Sequence, residues 1–99
     1  MQLDDLHGWY ARLRAELDVA RFEVGWQGPE PGRAKASVCL SVDGPERLGE
    51  LVVWETGEAQ LQLGDVAGGL VTDERMWLAD AEQLATAVGR MTAWVVGGA

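Results

Sequence analysis

The stretch from Leu48 to Asp65, LGELVVWETGEAQLQLGD, constrains the fold more than any other part of the chain. Two runs of β-branched, aromatic and leucine residues flank a turn signal at Glu55-Thr56-Gly57-Glu58. The second run alternates Ala59, Leu61 and Leu63 against Gln60 and Gln62. Such alternation predicts a β-hairpin with one buried face and one wet face. Two registers fit it. A type I turn at Glu55-Thr56 with Gly57 in the left-handed region sets Val53 opposite Ala59 and Leu51 opposite Leu61. Glu50, Val52 and Trp54 then join Gln60 and Gln62 on the outer side. A two-residue loop at Thr56-Gly57 pairs Trp54 with Ala59 instead and turns that tryptophan inward. The first register is favoured because threonine is a poor residue where a positive φ is needed.

The flanking segments extend this hairpin. Leu3, Leu6, Tyr10, Leu13 and Leu17 recur at spacings of three and four and predict an amphipathic helix, with Asp4 and Asp5 at its positive dipole end. Gly8 weakens that helix unless a close neighbour uses the missing side chain. From Arg21 to Trp26 the period becomes two, with Phe22, Val24 and Trp26 on one side. The loop Gln27-Gly28-Pro29-Glu30-Pro31-Gly32 follows, and alternation resumes at Ala34, Ala36, Val38, Leu40 and Val42. Asp43-Gly44-Pro45-Glu46 ends that strand. Val66-Ala67-Gly68-Gly69 is a further turn, and Leu70 to Leu78 is a weakly patterned fifth strand with Met76 and Leu78 inward. Asp80 and Gln83 form a capping box at the start of a second helix, whose stripe runs through Leu84, Val88, Met91 and Val95 until Gly97-Gly98.

A helix, five strands and a helix, with no interior crossover helix, imply an antiparallel meander. The expected fold is α+β: a five-stranded sheet with the N-terminal and C-terminal helices packed on one face, a two-layer sandwich. Ninety-nine residues suffice for one domain, 1–99, and a hydrophobic fraction of 47% supplies its core.

Chemistry is harder to find. His7 is the only histidine, Cys39 the only cysteine, and neither has partners at a spacing that builds a triad or a metal site. His7 reads as a surface or half-buried residue and Cys39 as structural or incidental. Gly64, Gly68 and Gly69 lie between strands, whereas a phosphate loop leads from strand to helix. No catalytic residue, cofactor or metal is therefore expected, and the chain reads as non-enzymatic. The net charge of −8 disfavours nucleic acid and anionic membrane surfaces. No apolar run approaches the ~20 residues of a membrane span, and a lone cysteine fits a reducing compartment, so cytoplasmic is the expectation.

The five tryptophans are more informative. Trp9, Trp26 and Trp94 are expected in the core. Trp54 and Trp77 fall on the outer sheet face among carboxylates and glutamines, the composition of a protein-binding surface. The candidate partner-binding residues are Glu50, Trp54, Glu55 and Glu58 from the hairpin, Gln60 and Gln62 beyond it, and Asp73, Arg75 and Trp77 from the fifth strand. Two other readings stay open: a homodimer that buries Trp54 and Trp77 against their symmetry mates, and a small-molecule-binding domain with a concave pocket.

The string LVVWETGEAQLQLGDVAGG, followed by the helix DAEQLATAVGRMTAWV, resembles the TriTu family of bacterial immunity proteins. The similar features are the turn from Trp54 to Glu58, the pair Gly64-Asp65 and the pair Ala93-Trp94. They cover the last half of the chain; the first half matches in having a helix followed by strands, and residues 70–78 depart most from the pattern. The resemblance implies an antitoxin of a polymorphic toxin system. It would block a toxin with ADP-ribosyltransferase activity, as the family's archetype protects elongation factor Tu. The acidic charge and outer tryptophans of this chain add the expectation of a basic active-site cleft on that toxin.

Overall fold

A computed structural model describes residues 3–29, 32 and 35–98. The order of elements is α1 (Leu3–Glu16), β1 (Glu23–Gln27), β2 (Ser37–Asp43), β3 (Arg47–Trp54), β4 (Glu58–Asp65), β5 (Leu70–Trp77) and α2 (Ala81–Gly97). Glu30 and Pro31 of the expected loop, and Ala34 at the expected start of the second alternation, lie outside the described residues.

The five strands form one antiparallel sheet in chain order. The central hairpin takes the favoured register, with Val53 opposite Ala59 and Leu51 opposite Leu61. Its turn explains why. The Gly57 amide donates to the Trp54 carbonyl at 2.9 Å, and Gly57 has φ +96, a conformation that costs other residues steric energy. Leu51, Val53, Ala59 and Leu61 are consequently buried, whereas Glu50, Val52, Trp54, Gln60 and Gln62 stand on the opposite face.

Both helices cover the first of these faces. Leu6 and Leu13 of α1 share one buried cluster with Val38, Leu40 and Val42 of β2, with the inner hairpin residues, and with Leu84, Val88, Met91 and Val95 of α2. α2 approaches β3 closely: a Cβ at Gly49 would lie 2.5 Å from Met91 Cγ. Only glycine leaves room for the methionine there. Gly8 has no such role, since a Cβ there would meet nothing within 4 Å.

At the start of α2, Asp80 accepts from the Gln83 amide at 2.9 Å. The Gln83 side chain reaches back one residue further than a capping box requires and accepts from the Ala79 amide at 2.7 Å. At its end the helix has no basic residue in the last turn, and Arg47 of β3 supplies one from outside. Its guanidinium lies 4.0 Å from the Trp94 ring centroid, and Nη1 donates to the Trp94 carbonyl at 3.2 Å.

The tryptophans expected in the core pack against it from its margins. Trp9, Trp26 and Trp94 are each half-buried, because their bulk and ring N–H favour a boundary position. Trp94 Nε1 donates to the Gly64 carbonyl at 3.2 Å, and Trp26 stacks edge-on with the exposed His7 at 5.1 Å. No helix among the described residues is long and apolar enough to cross a membrane.

Candidate functional site

The uncovered sheet face is built by the alternate residues that point away from both helices. Its two halves differ in side-chain size. β1 and β2 contribute Gly25, Ser37, Cys39 and Ser41; β3 to β5 contribute Trp54, Gln60, Gln62, Arg75 and Trp77. The small residues form a low floor and the large ones a raised half. A hollow of about 190 Å³ lies in the floor, lined by Ser37, Cys39, Glu50 and Val52.

The raised half culminates at the hairpin end. There Trp54 and Trp77 line one open cleft of about 570 Å³ together with Lys35, Glu58, Gln60 and Arg75. Glu58 and Trp77 are direct cross-strand partners. Trp77 is 67% exposed, an unusual state for a tryptophan in a strand, and Trp54 is half-buried beside it. Lys35 holds this end together: its Nζ lies 5.4 Å from the Trp54 ring centroid and 2.7 Å from Glu58 Oε1. Farther along, Gln60 Nε2 donates to both carboxylate oxygens of Asp73 at 2.8 Å. These contacts fix side chains that would otherwise be mobile, which lowers the entropy lost when a partner binds.

The sequence-predicted residues separate into groups. Trp54, Glu58, Gln60, Arg75 and Trp77 converge on the cleft. Glu50, Gln62 and Asp73 lie on the same face farther from the hairpin end, with Glu50 opposite Gln62 and Gln62 opposite Asp73. Glu55 sits in the exposed turn, where its amide donates to the Ala36 carbonyl at 3.0 Å. Lys35 escapes the sequence reading. Its outward place in the second alternation is legible, yet nothing local indicates that it reaches across to Trp54 and Glu58.

Cys39 is the one thiol on this face, and its surroundings suppress it. Burial pushes the thiol pKa up to about 12, helped by the Glu50 carboxylate and the hydrogen bond made to it. A thiol so raised is almost wholly protonated near neutral pH, which is the opposite of nucleophile activation. Among the described residues, no group of three or more His, Cys, Asp or Glu residues is placed to hold a metal ion.

The face thus offers aromatic anchors, paired charges and a stepped relief, features suited to gripping another macromolecule. Comparison with known proteins bears on this. A search of curated proteins finds no match. A family model described as Immunity protein TriTu matches residues 4–94, which extends the resemblance of the last half back through β2, β1 and α1. The chain belongs to the TriTu immunity protein family, a membership that points to a toxin-neutralising role.

Proposed function

We infer that the protein is a stoichiometric, non-enzymatic inhibitor that docks its uncovered sheet face on a cognate toxin in the cytoplasm. The observation that carries this reading is the pairing of an exposed Trp77 with a half-buried Trp54 at one cleft, within an acidic chain of net charge −8. Aromatic side chains of this kind supply most of the energy at protein interfaces, and opposite charge speeds the encounter. The partner that fits has a basic active-site cleft. The family resemblance supports an ADP-ribosyltransferase as that partner. Trp54, Glu58, Gln60, Arg75 and Trp77 are the proposed central contacts; Glu50, Glu55, Gln62 and Asp73 are the proposed rim.

Such an inhibitor needs affinity without turnover, and ~1,600 Å² of total buried surface is the usual size of a stable interface. The test is coexpression with the product of the neighbouring gene. The expected result is that the product kills alone, is harmless with this protein, and elutes with it as one complex. A harmless product, or a pair that separates on size exclusion, overturns the reading. Loss of NAD-dependent labelling of elongation factor Tu on addition of this protein would identify the toxin's chemistry.

A further inference from the structure

β5 is an edge strand: it pairs with β4 alone. Its residues from Leu70 to Arg75 are exposed on both sheet faces, and Leu70, Val71 and Trp77 keep 67%, 66% and 67% of their surface in water. Natural edges of this length are ordinarily blunted by proline, a bulge or a covering segment. β5 spans eight residues with no proline or glycine, and among the described residues no second strand pairs with it. Only its three central charges, Asp73, Glu74 and Arg75, stand against uncontrolled pairing.

Those charges define a register. We propose that β5 pairs antiparallel with the β5 of a second copy of this chain, about a two-fold axis at Glu74. Opposed residues in an antiparallel ladder share a face, so the axis must pass through a residue and cannot fall between two. With the axis at Asp73, that carboxylate meets its own copy and Val71 meets Arg75. With the axis at Arg75, two guanidinium groups meet and Asp73 faces Trp77. With the axis at Glu74, Asp73 meets Arg75 of the second copy twice, and Val71 meets its Trp77 twice, all on the uncovered face. Thr72 meets Met76 on the other. Of the three central registers, this alone pairs opposite charges and joins the exposed apolar residues.

Glu74 then faces itself across the axis, and the structure already compensates that. Arg90 of α2 holds each Glu74 by two hydrogen bonds, 2.6 Å and 3.2 Å, so two guanidinium groups flank the two carboxylates. Asp73 is steadied by Gln60, while Arg75 has no carboxylate partner among the described residues. A dimer supplies one. The axis stands perpendicular to the sheet, so both uncovered faces lie on the same side of one continuous sheet and remain open. This arrangement differs from a face-to-face dimer, and it does not rest on the toxin reading.

The test is sedimentation of the full chain from low to high micromolar concentration, with charge-swapped variants. The expected result is reversible passage from 10.7 kDa to twice that mass. Asp73→Arg and Arg75→Asp should each weaken the dimer at least about tenfold, and the double variant D73R/R75D should restore it to within about threefold. Net charge alone predicts otherwise, since Asp73→Arg reduces the repulsion between acidic chains and would then strengthen association. A monomer at every concentration overturns the proposal. So do single variants that associate as tightly as the native chain, or a double variant that fails to recover.

Discussion

Arg47 closes the end of α2 from a neighbouring strand, its guanidinium 4.0 Å from the Trp94 ring centroid and 3.2 Å from the Trp94 carbonyl oxygen. That carbonyl belongs to the last turn, where no intrahelical donor remains, and a cation there also meets the negative end of the helix dipole. Trp94 in turn donates to the Gly64 carbonyl, so one helix terminus is tied to β3 and β4 together. Arg47→Ala should cost about 2–3 kcal/mol in urea unfolding. Arg47→Met, which keeps the aliphatic stem over the ring and loses the charge, should cost about half of that.

Gly49 should tolerate no side chain. A Cβ there lies 2.5 Å from Met91 Cγ, and Met91 is fully buried with nowhere to retreat. Gly49→Ala should destabilise by about 1–3 kcal/mol through overpacking. Combined with Met91→Ala, the loss should fall short of the sum of the two single losses, and equal additivity would show that the sites do not touch.

Gly8 and Gly89 should behave in the reverse way. Each sits on an exposed helical surface where a Cβ meets nothing within 4 Å. Alanine removes the backbone freedom that glycine gives the unfolded chain. Gly8→Ala and Gly89→Ala should each raise stability by about 0.5–1 kcal/mol, visible as a higher melting temperature with the fold unchanged.

Cys39 makes stability fall with pH at the alkaline end. Its thiol titrates at about 12 in the folded protein against a usual value of 9.0, so the unfolded chain loses its proton first as pH rises. Deprotonation therefore favours unfolding between about 9 and about 12, and contributes nothing below that window. Cys39→Ala should flatten the slope of stability against pH in that range. Alkylation by iodoacetamide at pH 8 should run slower in the folded protein than in urea, by roughly thirtyfold once the greater intrinsic nucleophilicity of a high-pKa thiolate offsets part of its scarcity, and Glu50→Gln should speed it.

Trp77→Ala and Trp54→Ala should each weaken toxin binding by about 2 kcal/mol or more in calorimetry. The two differ in their effect on the free protein. Trp77, 67% exposed, should leave the melting temperature nearly unchanged, whereas Trp54 also loses its contact with Lys35. Binding unaffected by both changes would remove this face from the interface.

What the sequence made legible was local. Gly57 fixed the hairpin register because a three-residue turn with a left-handed third position has one geometry, and the alternation on both sides then assigned every face. Asp80 and Gln83 marked the start of α2 for the same reason. β5 was obscure because both of its faces are wet for six residues, so burial imposes no period. Lys35 and Arg47 were obscure for another reason. Each acts across the chain, on Trp54 and Glu58 in one case and on a helix end 47 residues away in the other, and no short window of sequence contains both partners.

The sheet's strand order has a kinetic consequence. Because order in space follows order along the chain, each pairing joins neighbours through a short connection, and no strand must wait for a distant one to arrive. Short loops close quickly and cheaply, which favours rapid folding for a protein with this much sheet. The middle hairpin, self-contained and fixed in register by its own turn, is the natural place for that process to start. A chain assembled this way is ready soon after synthesis, which suits the toxin-neutralising role to which its family points.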